Sequence, residues 1–383
     1  MNMSRNMFDR TSASALSTLS AMPDLALLMR GWQDGTGNPF IGRAELLRQA
    51  EFARSIGSPF IAAILEAGER QLDNAPLTAA LISRWPGDLA AAAVAMRFNA
   101  ALHALARSGK IPALAALYRG ESTDFDDSIA QALCSADQNI CLAMARPTQT
   151  NEVGRAAAIL CALMMAHQET DTAFELLELG SSCGLNLNLN RYSYDLAGQR
   201  LGSSASPVHI APEWRGAVPP AFGPIDIISA RGVDLNPSDP NDPATAERML
   251  SYIWADQPAR MERLTCALRL ARTHKPQVDR GTASAWLAER LAEPQAEGVC
   301  RTIFHSMVIQ YFDPEERHEV ISSIIEAGER ADVKRPVAWI SFEWTPNRSE
   351  VRLLVSLWPQ GTTRHLATCH PYGAWIHWHN PQN

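Results

Sequence analysis

Four apolar segments in the second half of the chain constrain its fold more than any other feature. They read AFELLELG (173–180), DIISARGVDL (226–235), VCRTIFHSMVI (299–309) and PVAWISFEW (336–344). Each is short and nearly continuous in apolar residues, and several are rich in β-branched or aromatic side chains, the signature of strands buried on both faces. Helical patterns separate some of them: ATAERMLSYIW through RLTCALRLARTH, then SAWLAERLAE, then EERHEVISSIIEAGERA. Strands alternating with helices predict a parallel sheet covered on both faces. VRLLVSLW (351–358) and AWIHWH (374–379) are two further candidate strands. In RYSYDLAGQRLGSSASPVHI, the alternation of Tyr192 and Tyr194 and the Ala-Gly turn predict a hairpin inserted near 190–212.

The first half has a different character, reading as helical over 24–168. Ser58-Pro59 supplies an N-cap with proline at the first helical position, and FIAAILEAG then runs to a glycine stop at Gly68. DLAAAAVAMRFNAALHALARSGK is an Ala-rich helix ended by Gly109. EVGRAAAILCALMMAH leads into the first strand. A chain of 383 residues accommodates two domains at about 100–200 residues each. The division expected is a disordered tail over 1–23, an all-helical domain over 24–165 and an α/β domain over 166–383.

Composition narrows the partners. The net charge of −7 gives nothing to gain from counterion release at a phosphate backbone, so nucleic acid is not an expected partner. No apolar run approaches the roughly 18 residues of a membrane span, and no membrane association is expected. The first 22 residues lack a continuous apolar stretch, so they do not read as a signal peptide. Seven cysteines without CxxC spacing fit the reduced thiols of a cytoplasmic protein.

The chemistry concentrates at the end of the first strand, in LELGSSCGLNLNLNR (177–191). A strand that ends in Glu178-x-Gly180-x-x-x-Gly184 and enters a helix places backbone amides at the carboxyl edge of a sheet, where open α/β folds bind ligands. Glycine permits the tight turn and the close approach. The spacing is not the GxGxxG dinucleotide fingerprint. LNLNLN has the period of a strand, but Leu185 and Leu189 share a helical face at i,i+4, and a short helix is the reading adopted.

Glu178, Gly180 and Gly184 resemble the first motif of class I S-adenosylmethionine-dependent methyltransferases, acid-x-Gly-x-Gly-x-Gly, with Ser182 where the middle glycine usually stands. ISARGVDLNPSD resembles the end of the second strand of that fold, where Asp234 would accept both ribose hydroxyls, a task that suits an acceptor-only carboxylate. A plain turn at Asp234-Leu-Asn-Pro is the rival reading. DRGTASAW (279–286) stands where such enzymes carry Gly-Asp-Ala, with Thr282 in the acid's place. RTIFHSMVIQYFDPEERHEV resembles the fourth strand, with His305 and Ser306 over the cofactor's reactive end. Over most of residues 40–380 the chain also resembles a bacterial family defined as a domain of unknown function. The carriers are TQTNEVGR (148–155), LELGSSCGLNL, RGVDLNP, WADQPARMERL (254–264), FHSMVIQYF and CHPYGAWIHWH.

These resemblances imply an α/β fold, a Rossmann-like class I methyltransferase-type sheet with a preceding all-helical domain. The first implies a methyltransferase acting on an unknown acceptor, with S-adenosylmethionine as cofactor; the domain of unknown function implies no established reaction. Glu178, Gly180, Ser181, Ser182, Gly184 and Asn186 would hold the methionine end. Asp234 and Leu235 would meet the ribose, and Thr282 and Ala283 the adenine. Asn151, Glu152 and Arg155 would cover the cofactor from the helix before strand one, although Thr150 or Asn151 reads as well as a plain N-cap. No catalytic residue is carried over from either family; His305, then Tyr311, are base candidates, and Asp256 is a candidate to line the substrate pocket. Asp256 and Arg260, at i,i+4, read equally well as a surface ion pair. A non-catalytic binding or regulatory protein is the alternative, favoured by Ser182 and Thr282. A nicotinamide-dependent oxidoreductase is third, and the missing GxGxxG counts against it. No GxSxG elbow marks a serine nucleophile. His377 and His379, near His365 and His370, lie between tryptophans in a strand that reads as sheet surface, so no metal is expected.

Overall fold

The computed structural model of the chain describes residues 39–146, 148, 150–217 and 223–379. The tail expected over 1–23 lies outside them. The chain divides into two compact units: Met1–Gln149 with Glu247–Met261, and Thr150–Ala246 with Glu262–Asn383. This division falls one helix earlier than the 165 boundary read from the sequence, and it gives the segment 247–261 to the helical unit.

In the helical unit, α1 (Pro39–Ser55), α2 (Pro59–Gln71), α3 (Pro76–Ser83), α4 (Val94–Ser108), α5 (Pro112–Tyr118) and α6 (Phe125–Ala145) follow one another. Pro59, Pro76 and Pro112 open their helices, where no amide donor is needed. Asp124 caps α6, accepting from the Asp127 N–H at 3.0 Å. Asp137 of α6 accepts from the Leu77 and Thr78 N–H groups at the start of α3, both at 2.8 Å. Leu46, Ile61, Ile64, Phe98, Leu102 and Leu133 form the sealed interior. Gly68 does not stop α2 as expected. The helix runs through it, and glycine is needed there for packing, since the Phe98 ring lies only 2.4 Å from where a Cβ would stand. Gly109 does end α4, with φ +67.

The second unit is built on a nine-stranded sheet. Its strands are β1 (Ala173–Leu179), β5 (Glu213–Gly216), β6 (Ile227–Asp234), β7 (Gln277–Arg280), β8 (Val299–Ser306), β9 (Val337–Trp344), β10 (Val351–Trp358), β11 (Thr362–Cys369) and β12 (Trp375–Trp378). Their order is β5-β12-β11-β10-β9-β8-β1-β6-β7. β7, β6, β1, β8 and β9 are mutually parallel, and β9 to β12 form an antiparallel meander. Numbered along the chain, the parallel block runs 3-2-1-4-5, so its winding reverses between β1 and β8.

Between β6 and Ala283 the chain forms α8 (Pro243–Ser251) and α9 (Pro258–Thr273). Alternate residues of β1 face opposite sides. Leu177 and Leu179 join Val233, Ile303 and Val337 in one core with Trp286 and Leu287 of α10 (Ala283–Ala292) and Val320 and Ile324 of α11 (Pro314–Glu329). Phe174 faces the other way, its ring 6.2 Å from that of His167 on α7 (Ala156–Thr170). Every residue of α7 from Ala156 to Ala166 is buried, so this helix is apolar all round rather than amphipathic.

The hairpin forms as expected from β2 (Ser193–Leu196) and β3 (Gln199–Gly202), and β4 (His209–Ile210) extends it to three strands. Ala197 and Gly198 both have positive φ, the requirement of a type I′ turn. LNLNLN adopts the helical alternative, a 3-10 helix over Leu185–Arg191. The buried Tyr192 and Tyr194 hydroxyls donate to the carbonyls of Leu185 and Leu189, holding the hairpin to it.

Candidate functional site

The winding reversal puts the carboxyl ends of β6, β1 and β8 side by side, and the loops leaving them build the site. Opposite windings on either side of such a point open a crevice where α/β sheets take ligands. The loop after β1 turns through three residues of positive φ: Gly180 (+68°), Ser182 (+53°) and Gly184 (+71°). Ser182 thus adopts the glycine-like conformation at the position where the resemblance expects a glycine, a strain of about 1–3 kcal/mol. The loop is fastened from three directions. The Ser181 N–H donates to the Val233 carbonyl at 3.0 Å. The Ser182 N–H donates to Asp234 Oδ2 at 2.8 Å. The Leu185 N–H donates to Asn151 Oδ1 at 2.7 Å. Gly232, which the sequence reading overlooked, allows this approach, since a Cβ there would stand 1.9 Å from Ser181 Oγ.

Gly184 has a packing role. Its missing Cβ points at Pro276 and Val278, at 2.6 and 2.7 Å, so protein atoms fill the space the sequence reading assigned to a ligand. Asp234 is also engaged: one oxygen accepts from Ser182, the other from the Asn236 N–H at 2.8 Å. The carboxylate retains lone pairs for a diol, but its first task is to join the ends of β1 and β6. Leu235 beside it is 60% exposed. Thr282 is the N-cap position of α10, without a side-chain cap bond. The Ala283 N–H, a candidate for adenine, already donates to Glu316 Oε1 at 2.9 Å.

Glu178 lies at the floor of the loop, buried, with Oε2 lacking a hydrogen bond. Burial pushes its carboxyl up to about 8, against smaller opposing effects of Ser181, Asn186 and Arg155. The buried Asn186 amide lies close enough to favour the charged form, yet neither of its polar atoms closes a hydrogen bond. Two orphaned polar groups therefore share the base of the loop, a costly arrangement for a site with no other use.

On the β8 side, the candidate base is held fast. The Trp339 indole N–H donates to His305 Nε2 at 2.9 Å, so the proton of this buried ring sits on Nδ1 and donates to Glu343 Oε1 at 2.7 Å. Neither nitrogen is left for a substrate, and His305 works as a structural link. Glu343 also accepts from the Val308 and Ile309 N–H groups, at 2.9 and 3.3 Å, which fixes the loop after β8. Sequence reading missed Glu343 and Trp339; a lone acid inside the apolar strand PVAWISFEW was the available signal. Tyr311, in the 3-10 turn Ile309–Tyr311, has a side chain 48% exposed. Arg155 reaches the same strand end, donating from Nη1 to the Ser306 carbonyl at 3.0 Å and from Nε to the Pro371 carbonyl at 2.9 Å.

Asp256 belongs to the helical unit. Burial raises its pKa above the usual carboxylate range; Ser58 and the Phe60 and Ile61 amides at the start of α2 oppose this without closing hydrogen bonds. The ion pair with Arg260 does not form; Arg260 donates instead to the Gln257 side chain. Three of the four histidines in the last strands do gather: the His379 ring lies 4.5 Å from His365 and 5.2 Å from His377.

The model of the family described as "Uncharacterized protein conserved in bacteria (DUF2332)" matches residues 43–378. The chain belongs to DUF2332. Comparisons with curated proteins and with solved structures give no match. Among the described residues of this DUF2332 chain, no helix is long and apolar enough to cross a membrane.

Proposed function

We propose that this protein is an S-adenosylmethionine-dependent methyltransferase on a Rossmann-like fold, acting on an acceptor of unknown kind. The observation that carries the reading is the positive-φ loop Gly180–Gly184 at the carboxyl end of β1, beside the winding reversal and joined to β6 through Asp234. The orphaned Glu178 oxygen and Asn186 amide suit an ammonium group, which the methionine end of the cofactor supplies. Asp234 would meet the ribose through its remaining lone pairs. S-adenosylmethionine brings an electrophilic methyl on a sulfonium. The residues of the chain would bind it, exclude water and align the acceptor, which is the larger part of such catalysis.

The engaged nitrogens of His305 favour one variant of this reading, a protein that binds the cofactor without general-base chemistry. Calorimetry with S-adenosylmethionine and S-adenosylhomocysteine, set against NAD and NADP, tests the proposal. Binding of the first pair alone is the expected result; binding of only the nicotinamides would replace it with an oxidoreductase. A melting temperature unmoved by saturating S-adenosylhomocysteine would end it.

A further inference from the structure

Burying an arginine removes a permanent charge from water, and the cost is ordinarily offset by a carboxylate partner. Arg301 follows that rule: it is buried and donates to Glu175 Oε2 at 2.7 Å. Arg155 does not. It is 8% exposed, and its hydrogen bonds run to the neutral Pro371 carbonyl and to Ser306, whose carbonyl and Oγ both face Nη1. The Phe342 ring, 5.8 Å from the guanidinium carbon, adds only a cation–π contact. Among the described residues, no carboxylate forms an ion pair with Arg155, and its Nη2 makes no hydrogen bond. The nearby acids are committed elsewhere, Glu152 to the Gly154 N–H and the Arg263 guanidinium, Glu343 to His305 and two amides. Arg155 is bonded to Ser306 at the end of β8, and Glu178 lies near the end of the neighbouring β1, in register with Phe304 of β8.

We propose that Arg155 is the anion anchor of the site, its free Nη2 receiving a carboxylate of the bound ligand. From neighbouring strand ends, Arg155 and Glu178 would bracket an α-amino acid group, guanidinium to carboxylate and Glu178 to ammonium. This assignment rests on the cofactor reading for the source of the carboxylate; an acceptor acid presents the same chemistry. The test is a cycle of ligand and residue on the full chain. S-adenosylmethionine and its decarboxylated analogue are titrated into wild type and Arg155→Lys, which keeps the charge and most of the buried stem. Wild type should bind the decarboxylated analogue about tenfold or more weakly, and the difference should shrink in the variant. A difference of equal size in both proteins overturns the proposal. If wild type shows no difference, or binds neither nucleoside, acetate and succinate are titrated by thermal melt. A rise in melting temperature that Arg155→Lys loses assigns the carboxylate to the acceptor, and no rise in wild type overturns Arg155 as the anchor. Failure of both nucleosides to bind wild type sinks the cofactor reading separately. Where Arg155→Lys fails to fold, Arg155→Gln takes its place in both comparisons, with the same outcomes.

Discussion

Glu178 couples the candidate site to pH. Its folded pKa, about 8, lies above the ordinary 4.5. A raised carboxyl contributes stability that is present below the unfolded pKa and is lost as pH rises through the folded value. Between pH 4.5 and 8 the wild type should therefore lose stability that Glu178→Gln, a neutral isostere, keeps. Denaturant unfolding at a series of pH values measures this, and parallel profiles would show that Glu178 is not perturbed. Arg301 makes a second residue-scale case. It pairs with Glu175 and also donates to the carbonyls of Glu293 and Pro294 just past the end of α10. Arg301→Met leaves Glu175 and those carbonyls without their donor and should cost about 3–5 kcal/mol in chemical denaturation; a loss below about 1 kcal/mol would mean that water replaces the guanidinium.

At the scale of elements, Gly184 tests the loop. A side chain there meets both a positive φ and the Pro276 and Val278 contacts. Gly184→Val should lose about 1–3 kcal/mol to backbone strain and a similar amount to overpacking, visible in melts without any ligand. An unchanged melting temperature would show that the turn adapts. The central strands were legible in sequence because burial on both faces leaves continuous apolar runs. β11, reading TTRHLATC, β7, reading QVDR, and β5, reading EWRG, were not legible, since their pairing rests on neighbouring strands rather than on their own apolar content. The loop after β1 was legible through its glycines. The bonds that hold it were hidden, because Asn151, Asp234 and Gly232 come to it from distant parts of the chain. The Trp339–His305–Glu343 chain was hidden for the same reason: its members are strand residues whose pairing depends on the register of β8 with β9.

For the molecule as a whole, the assignment of 247–261 to the helical unit governs what can be cut. Met249, Leu250, Tyr252, Ile253 and Trp254 are all buried there, with the Trp254 ring edge-on to Phe52 at 6.5 Å. A fragment beginning at residue 150 keeps this segment but lacks the helices that bury it, and should aggregate. Replacing 247–261 in that fragment with a Gly/Ser linker of about 15 residues should restore solubility in size-exclusion chromatography. A soluble fragment without the replacement would show that the segment does not need the helical unit.

The edge of the large sheet has a consequence for synthesis. β5 pairs with β12, the last described strand, so Glu213 finds its place beside Trp375, and the Trp214 ring comes to lie 5.7 Å from that of Trp378. Emerging from a ribosome at about 5–20 residues per second, β5 waits on the order of ten seconds for its partner. During that interval its backbone is an unpaired edge, open to other nascent chains. Its EWRG sequence puts an acid and a base on a strand that has yet to find its sheet, the kind of charge that discourages edge-to-edge pairing before β12 arrives.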